Sequence, residues 1–388
     1  MIKDKVPEDI CYGCGACVIA CPQNALRLEI NEKGFLVPQL VGKCSHCDLC
    51  ENVCPVLNPP KKTNNVVDIF AARSRSKRLR LIASSGGVAS SLSLAFIKNY
   101  GSVIGVTFSK EYALVYHKVA RIPQETVDFV GSKYVQSIST WALQRVKASN
   151  SENRYYLFFG TPCQVAGVRN LVEKGIIRSK IILVDLFCHG VASYKLWWAY
   201  INWLRKRIGA ILFIEQRFKL YDWHRYCVRA IGSRDLYLRE HNKDPFMFLF
   251  LNNYFLRGPC FRCPFRALNS VADLRLGDFW GPLYAKDKLG VSLILVLSEK
   301  ARQLLVNTHD ILLESQPLSE SLIKHSQLMS IEKPKDYDIV LKELVDTMDL
   351  EHLMRSRFSW KIVKTRIRSL LRHILYLGKN VLEVPLSK

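Results

Sequence analysis

One twelve-residue pattern, met twice, fixes most of what the N-terminal end of this chain can become. Residues 11–22 read CYGCGACVIACP and residues 44–55 read CSHCDLCENVCP. Both follow C-x2-C-x2-C-x3-C-P, so the chain repeats itself. Three thiolates spaced this way on one tight loop reach three irons of a single four-iron, four-sulfur cubane. The fourth opens a short helix and reaches a second cubane. The spacing therefore assigns Cys11, Cys14, Cys17 and Cys54 to one cluster, and Cys44, Cys47, Cys50 and Cys21 to the other. Gly13 and Gly15 let the backbone bend close around inorganic sulfur, and Pro22 and Pro55 turn the chain away. Structural zinc sites use two cysteine pairs rather than interleaved quartets, and disulfides need an oxidising compartment.

This is the pattern of the bacterial two-cluster ferredoxins, and the work it implies is one-electron transfer. Cluster potentials span about −700 to +450 mV with environment, so the pattern leaves the direction of flow open. The first residues, MIKDKVPEDICYGCGAC, show no apolar h-region, and the expectation is a chain without a secretory signal. No run approaches the roughly 20 apolar residues that a membrane-spanning helix needs. Thirteen cysteines in a reducing compartment point to metal or redox chemistry, and the expected location is cytoplasmic.

The chain has 388 residues, 49% hydrophobic and 11% aromatic, enough to bury a sizeable core. After the linker-like LNPPKKTNN (57–65), strands and helices alternate. DIFAARS, SVIGVTFS, LVYHKVARI, YYLFFG, KIILVDLF, SVADLRLGDFWG and GVSLILVLS read as strands. ASSGGVASSLSLAFIKNYG, TPCQVAGVRNLVEKG, CHGVASYKLWWAYINWLRKRIG and EKARQLLVNTHD read as helices. The expected fold is α/β (α+β), a mixed-sheet core with a small N-terminal bacterial-type ferredoxin domain. The expected domains are 1–60, a linker at 61–66, a core over 67–345, and a basic tail over 346–388.

Four further cysteines fall where strands end. Cys163 follows YYLFFG, Cys188 follows KIILVDLF, and Cys260 and Cys263 lie in a CxxC loop flanked by Gly and Pro. Ligands gather at the carboxyl ends of strands in open α/β sheets, so these four can face one point as a third metal site. The competing reading packs Cys163 and Cys188 in the core, where free cysteine is commonly buried. Cys227 lies in a strand-like run and is read as a buried hydrophobe.

Five segments in order resemble the beta subunit of coenzyme F420 hydrogenases and dehydrogenases: AARSRSKRLRLIASSGGVASSL (71–92), GSKYVQS (131–137), GTPCQVAGVRN (160–170), DLFCHGV (185–191) and CFRCPF with SVADLRLGDFWG (260–281). The resemblance covers about residues 67–330. It implies an iron–sulfur flavoprotein whose core carries one 4Fe–4S cluster beside a bound FAD. On that implication the core cluster takes Cys163, Cys188, Cys260 and Cys263. Electrons would pass between clusters and flavin, and hydride between the flavin and a deazaflavin, F420. For the flavin, Ser85, Gly86 and Gly87 open a helix whose N–H groups can meet a phosphate or ring, against the plain alternative of an N-cap at Ser84 or Ser85. Lys133 pairs with a phosphate or with the flavin's anionic edge, against a surface charge. Asp278 caps a turn or touches the flavin, and His189 tunes the cluster or holds its loop. Family members of the hydrogenase type carry Asp where Ser85 stands here and lack the CHG at 188–190. Both departures lie at the presumed flavin site and leave the electron acceptor open.

Charge supplies the remaining expectations. Lys and Arg number 56 against 34 Asp and Glu, a net charge of +22, which favours anionic partners. The candidates are an acidic ferredoxin or another oxidoreductase subunit, and a small-molecule or deazaflavin substrate. Nucleic acid is not expected, because basic residues are spread along the chain and no recognition motif is present. The segment 355–380 puts Trp360, Val363, Ile367, Leu370, Leu371 and Ile374 at helical spacing opposite Lys361, Lys364, Arg368 and Arg372. This is a basic amphipathic helix suited to the inner face of a membrane or to docking on the core. Three functions compete: a flavin-dependent oxidoreductase, an electron relay without its own substrate site, and a protein using clusters as folding staples. No side-chain acid or base stands out.

Overall fold

The computed structural model describes residues 2–61, 66–149, 151–318 and 330–359. Its centre is an eight-stranded mixed sheet in the order β13-β3-β12-β11-β7-β6-β4-β5. The strands are β3 (Asp68–Ser74), β4 (Ser102–Phe108), β5 (Val115–Ala120), β6 (Tyr155–Phe159), β7 (Lys180–Leu186), β11 (Leu274–Asp278), β12 (Ser292–Val296) and β13 (Ile311–Ser315). β4, β6, β7 and β11 are mutually parallel. β12, β3 and β13 add antiparallel on one side and β5 on the other. The carboxyl ends of β3, β11, β7, β6 and β4 therefore open on one edge of the sheet.

The apolar runs that form these strands are covered on both faces, as parallel strands require. Alternate side chains go to opposite layers. Leu293 and Leu295 of β12, with Tyr156 and Phe158 of β6, pack on α6 (Thr140–Ser149) and α7 (Pro162–Glu173). Ile294 and Val296 of β12, with Leu157 of β6, pack on α5 (Val88–Asn99) and α10 (Glu299–Val306). α7 starts where Pro162 fixes the first turn and the Thr161 N–H donates to Gln164 Oε1 at 3.1 Å. α8 (Tyr194–Ile208) is capped by Ser193, whose Oγ accepts from the Lys195 N–H, and it stops at Gly209 with φ 81°. It opens later than the segment CHGVASYKLWW suggested, because residues 187–193 run as a loop along the sheet edge.

A second, three-stranded antiparallel sheet is formed by β8 (Ile211–Phe218), β9 (Cys227–Gly232) and β10 (Leu236–Glu240). It shares an aromatic core with α8, α9 (Pro245–Leu251) and α11 (Tyr337–Thr347). Cys227 is buried in β9. The core extends past the expected boundary at residue 345. Residues 350–359 are helical, and Leu350, Leu353 and Phe358 are buried in the same cluster, with Phe358 edge-on to Phe248 and Tyr254. Apolar side chains at helical spacing carry that segment onto the core. The expected amphipathic stripe from Trp360 onward, and most of the linker at 61–66, lie outside the described residues. Among the described residues no helix is long and apolar enough to cross a membrane.

The N-terminal unit contains α1 (Ile2–Lys5), α2 (Ala16–Ala20), α3 (Leu49–Asn52) and the hairpin β1 (Leu26–Ile30) with β2 (Leu36–Leu40). It is seated on the core rather than tethered to it. Arg257 donates from Nε to Cys11 O at 2.7 Å and from Nη1 to Leu36 O at 2.8 Å. Ser139 Oγ donates to Cys14 O, and Asn170 Nδ2 to Val53 O and Asn58 O. Ile19, Ala20 and Val53 join the core layer under α6 and α7. Buried backbone carbonyls are costly unless paired, and here the core side chains pair them.

Candidate functional site

The first cysteine loop is shaped by glycine. Gly13 and Gly15 sit at φ +63° and +83°, and a Cβ on Gly13 would lie 2.3 Å from Leu36 O. The chain therefore folds tightly, and its cysteines surround two hollows. One is lined by Cys11, Cys14, Cys17 and Cys54 together with Tyr12, Gly13 and Gly15. The other is lined by Cys21, Cys44, Cys47 and Cys50. The fourth cysteine of each repeat thus reaches the hollow formed by the other repeat, because α2 carries Cys17 at one end and delivers Cys21 just beyond the other.

The two hollows differ in their surroundings. Cys14, Cys17 and Cys54 are buried, whereas Cys47 is exposed and Cys44 and Cys50 are partly so. Backbone N–H groups donate to sulfur from Gly13 to Cys11 (3.3 Å), from Ala25 to Cys21 (3.3 Å) and from His46 to Cys44 (3.4 Å). Burial pushes the Cys14 and Cys17 thiols well above the ordinary range, so a bare thiolate is disfavoured there. A coordinating metal removes the thiol proton outright. Among the described residues no three His, Cys, Asp or Glu side chains close around one point as a single-ion site requires. A cubane spreads its four thiolates over four separate irons, and the quartets fit that donor pattern.

The core cysteines also come together. Cys163 is the second residue of α7, just beyond β6, and Cys188 lies two residues beyond the adjacent parallel β7. Cys260 and Cys263 sit in and just after a short 3-10 turn, Gly258–Arg262. Burial, then the other thiols, push Cys188 well above the ordinary range; its neighbours in charge are Cys260, Cys163 and Cys263. Burial likewise pushes Cys163, Cys260 and Cys263 up to about 11. Arg257, Arg266 and Arg275 stand close enough to act against these shifts. Arg266 Nε and Nη1 and Arg257 Nη2 are buried without a hydrogen-bond partner. The four thiols thus lie beside guanidinium donors left without a partner, and a buried cation is costly without an opposite charge.

A buried ion pair fixes the CxxC loop over this point. Arg275 on β11 and Asp185 on β7 are register partners. Arg275 Nε and Nη2 donate to the two Asp185 oxygens at 2.7 and 2.6 Å, with both side chains at most 1% exposed. The same guanidinium donates to the carbonyls of Phe265, Ala267 and Asn269, and Ser270 Oγ donates to Asp185 at 2.7 Å. Sequence reasoning did not single out Arg257, Arg266 or this pair. The only available signal was an arginine recurring beside each late cysteine and strand.

The residues expected around a flavin gather at the same sheet edge. Ser132 donates from its N–H and Oγ to Ser84 Oγ at 2.8 and 2.9 Å, which joins the 131–133 loop to the SSGG turn. Ser85 Oγ donates to Val291 O, and the Gly86 N–H donates to Ser292 Oγ, both at 3.1 Å. A Cβ on Gly86 would lie 2.5 Å from Ala72 O, so this glycine allows close packing on β3 and β12. Gly87, at φ +80°, caps α5 without a side-chain hydrogen bond. Lys133 is not a surface charge. Its Nζ donates to the carbonyls of Val130 and Gly131 at 3.1 Å and of Phe129 at 3.4 Å, and burial lowers its pKa to about 7. The Asp278 side chain does more than shape a turn: it accepts from Arg217 Nη1 at 2.6 Å in a buried pair. His189 packs edge-on against Phe250, and its carbonyl accepts from Arg266 Nη2.

Several neighbours on β8 and the loop after it went unread in the sequence, and one of them meets Trp280, just past the end of β11. Trp223 and Trp280 stack with ring centroids 5.1 Å apart. Lys219 Nζ donates to Arg80 O and Ser85 O at 2.7 Å and to Leu289 O. Gln216 Nε2, Arg217 Nε and Trp223 Nε1 are buried donors without a partner.

Comparison with known proteins completes the description. Residues 10–58 match the 4Fe-4S dicluster domain, and residues 153–321 match the family described as the C terminus of the coenzyme F420 hydrogenase/dehydrogenase beta subunit. The F subunit of the F(420)H(2) dehydrogenase of Methanosarcina mazei is 26% identical over 48% of the chain and 55% of its own length. A ferredoxin of Pyrobaculum islandicum is 47% identical over 13% of the chain and 45% of its own length. The coenzyme F420-dependent sulfite reductase of Methanocaldococcus jannaschii is 24% identical over 44% of the chain and 26% of its own length. The chain thus spans about half of the first two relatives and about a quarter of the third. A chain of the F420-reducing [NiFe] hydrogenase complex from Methanosarcina barkeri superposes with a TM-score of 0.46 at 16% identity, covering 76% of this chain and 93% of that one.

Proposed function

We propose that this chain, which joins a 4Fe-4S dicluster domain to the C-terminal domain of the coenzyme F420 hydrogenase/dehydrogenase beta subunits, is an iron–sulfur flavoprotein subunit of an oxidoreductase. One observation carries the reading: twelve of the thirteen cysteines gather as three sets of four. Cys11, Cys14, Cys17 and Cys54 would hold one cubane, Cys21, Cys44, Cys47 and Cys50 a second, and Cys163, Cys188, Cys260 and Cys263 a third. The flavin, FAD by the family resemblance, would lie where Ser84, Ser85, Gly87 and Ser132 meet the Trp223–Trp280 stack and Arg217. Clusters supply single electrons, and a flavin pairs them for two-electron work on an organic molecule.

The residues of this chain have defined tasks. Arg257 and Arg266 would offset the negative charge of the core thiolates, and Arg275 with Asp185 keeps the CxxC loop closed over them. Asp278 orients Arg217, whose guanidinium lies over the Trp280 and Tyr226 rings. Gln216 Nε2, Arg217 Nε and Trp223 Nε1 offer hydrogen bonds to the acceptor edge of a bound ring. The two-electron partner is a deazaflavin coenzyme of the F420 type or another organic substrate. The one-electron partner is an acidic ferredoxin or another protein of the same complex, meeting the exposed Cys47 end.

A second reading, an electron relay with no flavin, has its own support. The Gly86 N–H and Lys133 Nζ already have partners within the chain and are not free for a phosphate. Anaerobic purification separates the two. The flavoprotein reading expects about twelve irons, from three clusters of four, with one flavin per chain. Twelve irons without flavin leaves the relay, and about eight irons without flavin removes the third cluster as well.

A further inference from the structure

We propose that electrons cross between the N-terminal unit and the core at one contact, where Gly167 seats the helix that carries Cys163 directly against Cys14. This rests on the three-cluster reading above and specifies its wiring. Gly167 lies mid-helix in α7, a position where glycine is destabilising relative to alanine. Its missing Cβ explains why it stands there. A methyl group would lie 2.9 Å from Cys14 Sγ, 3.3 Å from Cys14 Cβ and 3.1 Å from Ala16 Cβ. What the glycine admits is the sulfur itself.

Cys163 is four residues earlier on the same helix, so its side chain and Gly167 share one face about 5–6 Å apart. Cys14 and Cys163 pack in the same buried cluster. Tyr12 fills the space beside the contact. It packs in one apolar cluster with Cys14 of the inner quartet and Cys163 and Cys263 of the core quartet, and it lies edge-on to Phe265 at 5.9 Å.

The three quartets therefore form a line. The outer set includes the exposed Cys47, the inner set lies under α7, and the core set sits at the sheet edge. One electron crosses at a time. Iron bound by one quartet is oxidised by one unit, iron bound by the other is reduced by one, and no bond or proton is exchanged. The donor is a one-electron carrier protein at the outer end, and the acceptor is the flavin beyond the core quartet.

The test uses the full chain, purified anaerobically and reduced with dithionite, as wild type and as Gly167→Val, Gly167→Ala and Glu173→Ala. Electron paramagnetic resonance reads the magnetic splitting between neighbouring reduced clusters, and iron content is measured on the same samples. The expected result is about twelve irons throughout, a weakened inner–core contribution to the splitting in Gly167→Val with the outer–inner contribution kept, a smaller change in Gly167→Ala, and full splitting in the control Glu173→Ala at the far end of the helix. Full splitting in a folded Gly167→Val protein with twelve irons overturns the proposal and leaves the three-cluster reading standing. If the valine variant loses iron, the alanine variant is judged by the same criterion, because its 2.9 Å contact must still shift. About eight irons in the wild type overturns both.

Discussion

Replacing Arg275 by Leu tests the account of how the core quartet is held. The substitution removes a bidentate pair at 2.6 and 2.7 Å from a position about 1% exposed. It leaves the Asp185 carboxylate buried with Ser270 Oγ as its remaining side-chain donor of those described. Breaking a buried pair from one side costs about 3–5 kcal/mol, because the abandoned charge stays in a poor solvent. The carbonyls of Phe265, Ala267 and Asn269 lose their shared donor too. Only the Phe265 carbonyl is buried, and leaving it unsatisfied costs about 1–3 kcal/mol, a loss that falls on the loop between Cys263 and β11. The double variant Arg275→Leu, Asp185→Leu relieves the stranded charge but not the carbonyls. Denaturant unfolding followed by circular dichroism, with iron analysis, should therefore rank wild type above the double variant and the double variant above the single. Both variants should lose about four irons, the content of one cluster. A single variant with unchanged midpoint and full iron would refute the idea that this pair anchors the loop.

Other perturbations address neighbouring links. Cys263→Ser should remove about four irons and leave about eight in the N-terminal unit; loss of all iron would show that the quartets are not independent. Gly86→Ala forces a Cβ against Ala72 O and Ser292 N, an overpacking worth about 1–3 kcal/mol, and should lower flavin occupancy; full occupancy at wild-type stability counts against the SSGG turn as a cofactor wall. His117 is buried, its Nε2 lies 2.9 Å from Phe159 O, and burial lowers its pKa to about 4. Its stabilising contribution is complete above the unfolded value near 6.5 and is lost as pH falls through 4, an effect of about 3 kcal/mol at 1.36 kcal/mol per pH unit. His117→Phe should flatten that interval relative to wild type, and identical pH profiles for the two proteins would exclude His117 as the cause.

The parts of the site legible in sequence are those whose geometry is local. In C-x2-C-x2-C-x3-C the spacing alone decides which thiols share a loop and which one swings across a short helix. The apolar runs of β6, β7 and β12 announced buried strands for the same reason, since side-chain direction alternates along any extended chain. Lys133 shows where this reasoning ends. Its motif suggested a phosphate partner, and it could not show that the loop curls so that the Val130 and Gly131 carbonyls also accept from Nζ. No residue type reports that curl. Strands β8 and β10, with Arg217 and Trp223 at the end of β8, were equally hidden, because strands of mixed polarity carry weak periodicity.

The sequence by itself thus determined two four-thiol sets and a strand–helix alternation, since both depend on neighbours within a few bonds or turns. The tertiary structure alone decided that Asp185 and Arg275 would face each other across paired strands. It also decided that Cys14 would meet a bare glycine far along the chain on α7, and that unspent arginine donors would surround the core thiols. Such meetings depend on sheet order and helix seating, which the whole set of buried contacts fixes together.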